Sequence, residues 1–149
     1  MFQLPIRTFD SEYSKGSSEL GQLPDWNLND LYTSTDAKEL VSDLNWLEKE
    51  CDKFAKDYEG KLKSLSADQL LNCVLRNEKI SSSSGRIISY AGLRYYQKTT
   101  DAERAKFLSD MQEKVTIFTT KLVFFSLEIN SLDDEFLEKR LKENTDLFR

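Results

Sequence analysis

The residues able to do chemistry in this chain are mostly acids. Asp133, Asp134 and Glu138 form a carboxylate cluster of the general kind that holds magnesium against a diphosphate. Such a site places its third acid nearer, needs a second acidic helix, and adds basic residues for the diphosphate. This cluster is therefore read as the solvated N-terminus of a helix. Tyr90, Tyr95 and Tyr96, and the Phe124-Phe125 pair, could line a peptide groove, but aromatic residues at helical spacing read first as core. Ser81 to Ser84 could accept phosphate or could be small residues at a close packing contact, and the sequence does not choose between them. Cys51 and Cys73 have no C-x-x-C spacing, so each is read as a small apolar packing residue. The chain has 0 histidines. That excludes a histidine general base, a Ser-His-Asp or Cys-His nucleophile, and an H-E-x-x-H zinc site within these residues. No residue is assigned a catalytic, cofactor-binding or metal-binding role.

The chain that must position these groups has 149 residues, 39% hydrophobic and 32% charged, with 5 Gly and 2 Pro. This is the composition of one ordered helical unit, large enough to bury a core without metals or disulfides. Lys and Arg total 21 against 26 Asp and Glu, for a formal net charge of -5, and the two signs alternate. No basic stripe follows, so nucleic acid is not an expected partner. The longest apolar run, Leu122 to Phe125, is far below the ~20 residues of a membrane-spanning helix, and no secretory signal is recognisable near Met1. The expected location is cytoplasmic, with no membrane association.

Residues 1–22, rich in Ser and Gly, are expected to be a mobile leader. Pro24 suits a turn, and Trp26, Leu28, Leu31 and Tyr32 offer an apolar patch to dock it. Asp36 with Glu39 is the signature of a capping box, and Leu40, Leu44, Leu47, Cys51, Phe54 and Tyr58 form one helical stripe that Gly60 can end. Ser66 with Gln69 opens a second helix. Leu70, Val74, Ile88, Ala91 and Tyr95 keep its phase through Ser81-Gly85, which predicts one helix over 66–98 and not two around a linker. Thr100 with Glu103 opens a third, whose stripe from Phe107 or Leu108 through Met111, Val115, Phe118, Leu122 and Phe125 to Ile129 predicts about six unbroken turns. Residues 121–129 also alternate like a strand, but the longer helical phase is preferred. Asp133, Asp134 and Glu135 suit the first turn of a fourth helix bearing Phe136, Leu137 and Leu141.

The fold class expected is all-α: an antiparallel array of three long helices over residues 23–131, followed at 132–149 by the start of a fourth. Leu147 and Phe148 come last and look unpartnered, so the chain is expected to be cut from a longer one.

The stretch Leu23-Pro-Asp-Trp-Asn-Leu-Asn-Asp-Leu-Tyr32, the helix from Asp36 that ends in Tyr58-Glu-Gly-Lys-Leu62, Ser89-Tyr-Ala-Gly-Leu-Arg-Tyr-Tyr96, Asp101-Ala-Glu-Arg104, Leu122-Val-Phe-Phe-Ser-Leu-Glu-Ile129 and Leu132-Asp-Asp-Glu135 together resemble the opening of the oligoendopeptidase F family. These are zinc metallopeptidases related to thimet oligopeptidase, and the resemblance covers residues 23 to about 141. It implies a cytoplasmic enzyme that cleaves oligopeptides inside a mostly helical shell, with these helices as a wall or lid of the substrate channel. The family's zinc is held by an H-E-x-x-H helix and a later glutamate. No position here matches that motif, so zinc is expected in a catalytic domain of the same polypeptide. The alternative is a stand-alone helical module that binds a partner protein through one apolar face.

Overall fold

Seven-residue spacing organises the structure, a computed structural model that describes residues 26–147. On α1 (Lys38–Tyr58) Leu40, Leu47 and Phe54 are buried seven apart, and Leu44, Cys51 and Tyr58 form the companion row. On α2 (Ala67–Tyr96) the rows are Cys73, Ile80 and Ile87, and Leu70, Asn77, Ser84 and Ala91. On α3 (Ala102–Thr120) Met111 and Val115 are buried, with Leu108 and Phe118 packed beside them. Rows repeating every seven residues keep one face toward a neighbour only if the helices cross at a shallow angle.

The three helices alternate in direction. Arg76 of α2 meets Glu50 and Asp57 of α1 while Arg86 meets Asp43, and Tyr90 of α2 meets Phe107 of α3 while the Arg94 carbonyl meets Arg104. Two short helices follow, α4 (Val123–Asn130) and α5 (Asp134–Glu143), with 3-10 turns at Leu62–Ser64 and Thr145–Leu147. The described residues contain no strand, so the all-α expectation holds. None of their helices is long and apolar enough to cross a membrane. The expected leader at 1–22 and the turn at Pro24 lie outside the described residues.

α2 is one helix through Ser81-Gly85, as its phase predicts, and its capping box forms: Gln69 N–H donates to Ser66 Oγ (3.3 Å) and Ser66 N–H to Gln69 Oε1 (2.9 Å). Ser84 stays in the helix by donating its hydroxyl to the Ile80 carbonyl (2.8 Å). Of the expected row Leu70 and Ala91 are buried. Val74, Ile88 and Tyr95 are only half-buried, because the seam follows a seven-residue repeat, which departs from a straight helix by about 20° per heptad.

Three other expectations are corrected at helix ends. At α1 the N-cap is Ala37, without a side-chain bond. That position is buried against the core, while the Asp36 carboxylate bonds the Ser34 hydroxyl, which holds it below the usual carboxylate range. At α3 the cap is Asp101, one residue after Thr100, and it accepts from the amides of Glu103 (3.0 Å) and Arg104 (3.2 Å). The six-turn helix running to Ile129 is broken at Lys121-Leu122 into α3 and α4. Thr119 and Thr120 donate their hydroxyls back to the carbonyls of Val115 and Thr116 (2.8 and 2.7 Å), a pattern that bends helices, and Leu122 sits at φ -100°, ψ 0°. After the break Phe124 and Phe125 lie 6.0 and 5.6 Å from the Phe54 ring.

Gly60 does end α1. Lys61 N–H reaches the Tyr58 carbonyl (3.0 Å) across Glu59 at φ -57°, ψ 128° and Gly60 at φ 73°, a type II turn whose third residue needs a positive φ. The Glu128 carboxylate of α4 accepts from the amides of Gly60 (2.6 Å) and Leu62 (3.3 Å), so a side chain on α4 closes this turn. α5 opens where predicted, with Asp133 accepting from Phe136 N–H (2.7 Å). Leu147, expected to lack a packing partner, lies against the core, and Asn144 donates to Asp68 at the start of α2 (2.8 Å).

Candidate functional site

The charged side chains of α1 and α2 meet in two clamps. Arg76 donates from Nε to Glu50 Oε1 (2.7 Å) and from Nη1 to Asp57 Oδ2 (2.9 Å), and its guanidinium lies 5.6 Å from the Phe54 ring centre and 5.2 Å from that of Tyr58. Burial works against its charge, but the hydrogen bonds it makes to Asp57, Tyr58 and Glu50 outweigh it and hold the proton above the ordinary arginine range. The Arg76 bond also pulls Asp57 below the usual carboxylate range. Thirty-odd ångströms of helix could slide without such ties; a guanidinium fork on two carboxylates fixes the register of α1 against α2 (about 1.5 Å per residue).

Toward the other end of α1 the Tyr32 hydroxyl donates to Asp43 Oδ2 (2.6 Å), and Arg86 Nη1 approaches the same oxygen (3.3 Å). Arg86 also donates to the Leu31 carbonyl and stacks 4.4 Å from the Tyr32 ring centre. Burial, then the bond to Asp43, push the Tyr32 phenol above its ordinary value. Beside this clamp a groove of about 410 Å³ runs between α1 and α2, lined by Ser42, Trp46, Lys79, Ser82, Ser83 and the clamp's charged pair. Its cations are engaged: Arg86 as described, Lys79 at 5.0 Å from the Trp46 ring centre.

A second groove, of about 380 Å³, lies between the last turns of α2 and the start of α3. Arg94, Arg104, Lys106 and Phe107 line it together with Asp101, Glu103 and Asp110. Arg104 pairs with Asp101 (3.7 Å) and donates to the Arg94 carbonyl (3.0 Å) and to Gln97 Oε1 (3.2 Å). Gln97 in turn donates to the Trp26 carbonyl (2.8 Å). Trp26 is thus held by its backbone while the residue as a whole is 54% exposed, against the expectation that it docks with Leu28, Leu31 and Tyr32. Leu28, Leu31 and Tyr32 do dock.

The residues that the sequence raises as candidates are not brought together. Asp133 is consumed as the cap of α5, and Asp134 and Glu138 are exposed, Glu138 lying 3.5 Å from Lys142. Tyr90 is buried edge-on to Tyr32 (5.3 Å) and Phe107 (6.1 Å), whereas Tyr96 is 63% exposed beside Tyr95 (5.5 Å). Phe124 and Phe125 pack on Phe54. Cys51 and Cys73 are free and fully buried, and burial pushes their thiols up to about 11 and about 12.

Among the described residues no three His, Cys, Asp or Glu side chains gather as a ligand set, and the buried thiols favour their protonated form. The two grooves were missed by sequence reasoning. Lys79, Ser82, Ser83 and Arg86 do share one face at i, i+3, i+4 and i+7, which is a readable signal for the first; the second depends on how α3 folds back and has none. Comparison with protein-family models, with curated proteins and with solved structures gives no match.

Proposed function

We propose that this chain is the N-terminal helical wall of an oligoendopeptidase F-like zinc metalloendopeptidase, enclosing the channel in which oligopeptides are cleaved and supplying no catalytic residue. One observation supports the reading best. Several of the residues that carry the resemblance lie at the joints of the helix array: Tyr32 against Tyr90, Tyr58 stacked by Arg76, Gly60 and Leu62 bonded by Glu128, and Phe124 and Phe125 on Phe54. A wall domain is expected to owe its recognisable residues to packing and turns, not to chemistry. In this reading the partner is a catalytic domain of the same polypeptide, which holds the zinc. The chain alone is inert, and the enzyme works in the cytoplasm.

The second reading, a stand-alone helical module, is favoured by apolar side chains that the array leaves outside. Ile117 is 56% exposed, Val123 56% and Leu127 66%. Val123 and Leu127 stand one turn apart on α4, which buries no residue fully. An immunoblot of the native gene product separates the two. A band several times larger than 17.3 kDa, from a protein that carries zinc and cleaves oligopeptides, is expected. A band at 17.3 kDa without zinc or cleavage overturns the wall-domain reading and sends the search to a protein partner.

A further inference from the structure

The three long helices close two of their seams and leave part of the third open. α1 meets α2 through the Arg76 and Arg86 clamps, and α2 meets α3 through Tyr90 on Phe107 and Arg104 on the Arg94 carbonyl. Between α1 and α3 an ion pair of Asp52 with Lys121 ties the far end of the seam. Nearer the starts of both helices lies a groove of about 270 Å³ lined by Val41, Leu44, Asn45, Glu48, Lys114 and Phe118. Its walls are apolar and open to water. Val41 is 50% exposed and Ile117, next to Phe118, 56%, while Leu44 and Phe118 pack on the core but are only half-buried. Single exposed apolar residues are ordinary; a groove with such side chains on both walls marks a surface that something covers. The volume is below the usual range of small-molecule sites, and no buried polar side-chain atom there lacks a partner. Apolar side chains of a polypeptide therefore suit it better than a compact ligand.

The chain carries such side chains close by. Phe2, Leu4, Ile6 and Phe9 stand in the first nine residues with Arg7 as their one charge, whereas residues 10–22 offer only Tyr13 and Leu20. Because the helices alternate in direction, α1 and α3 begin at the end of the array where α2 finishes. Trp26 is tied to that same end by the bond from Gln97 to its carbonyl (2.8 Å), and the groove opens in the first turn of α1. The sixteen residues 10–25 reach about 50 Å when extended and about 22 Å as a coil, enough to bring residues 2–9 onto the groove. A segment tethered this way acts at an effective concentration on the order of millimolar. The charges agree as well. Glu48 and Lys114, one on each wall, form no ion pair among the described residues, and Arg7 and Asp10 of the segment flank Phe9.

We propose that residues 2–9 dock in the groove between α1 and α3 as a strap that covers Val41 and Ile117. This replaces the expectation of an unattached leader over residues 2–9 and keeps residues 10–22 as the link. The docking holds whether the chain is a wall domain or a stand-alone module.

The test places a nitroxide on Ser11→Cys in the 149-residue chain and reads paramagnetic broadening of backbone amides. Cys51 and Cys73 are fully buried with raised thiols, so the label goes to position 11. Broadening is expected to be strongest over residues 41–48 and 114–118. It is expected to be lost when Phe2→Ser, Ile6→Ser and Phe9→Ser are combined, and again in Val41→Glu with Ile117→Glu, two exposed positions at which the array keeps its fold. An undocked segment instead broadens most around Trp26 and Gln97, where it is tethered, and that pattern overturns the proposal and leaves the groove to another domain or protein. Broadening centred on Val123 and Leu127, or unchanged by the serine substitutions, overturns it too. Broadening in a mixture whose nitroxide and observed nuclei sit on different chains assigns the groove to a second copy, and equally overturns it.

Discussion

Two cysteines with no assigned chemistry still make a sharp statement about the folded chain. Burial raises the thiol of Cys51 to about 11 and that of Cys73 to about 12, against about 8.5 for a free thiol. Both groups therefore stay protonated and enclosed at pH 8. An aromatic disulfide reagent is expected to find neither thiol in the native protein and both in denaturant; rapid reaction of either without denaturant contradicts the packing of α1 on α2. The unfolded chain ionises first as pH rises above about 8.5, so these thiols make stability decline with pH between there and their folded values. Gly60 gives a second test at this scale. Nothing lies within 4 Å of where a Cβ would stand, so Gly60→Ala meets no clash and is expected to cost about 1 kcal/mol through its φ of 73° alone. A loss several times larger in urea unfolding would mean that the turn is constrained by more than its backbone angle.

Among the elements, α4 depends most on its neighbours. It buries no residue fully and is held by Phe124 and Phe125 on Phe54 and by the Glu128 carboxylate. Phe54→Ala is expected to cost about 3–5 kcal/mol. Hydrogen exchange in the variant is expected to speed up more in residues 123–130 than in α2; equal acceleration everywhere would mean that α4 is not a separable unit. This dependence explains where the helices were legible in the sequence and where they were not. The caps at Ser66 and Asp133 and the turn at Gly60 use partners within a few residues, so spacing alone reveals them. The break at Lys121-Leu122 does not show in periodicity, because Leu122, Phe125 and Ile129 keep helical spacing across it. What decides it is the back-bonding of Thr119 and Thr120 and the ring of Phe54, far away in sequence. The same holds for Ala37 replacing Asp36 as the cap, and for the groove beside Arg94, which depends on how α3 folds back and on no motif.

For the whole molecule, the acid range tests how much the charge ties matter. The hydrogen bond from Arg76 lowers Asp57, and the amide of Arg104, with that of Glu103, lowers Asp101. A carboxylate depressed in the folded state contributes stability that is present above its unfolded value near 3.9 and lost as pH falls through the lower folded value. Urea midpoints are expected to be level near neutrality and to fall below about pH 4. The fall should be shallower in Asp101→Asn, which is already weakened at pH 7; an unchanged acid profile in that variant would remove the cap from the account. The bond between Glu128 and Gly60 has a further consequence, in time. It closes a loop of 68 residues containing all of α2 and α3, so it can form only after those helices have folded back on each other. An interaction made that late is absent from the rate-limiting ensemble for folding. Glu128→Gln should therefore leave the refolding rate nearly unchanged and hasten unfolding, so that this carboxylate governs how long the native state lasts once formed.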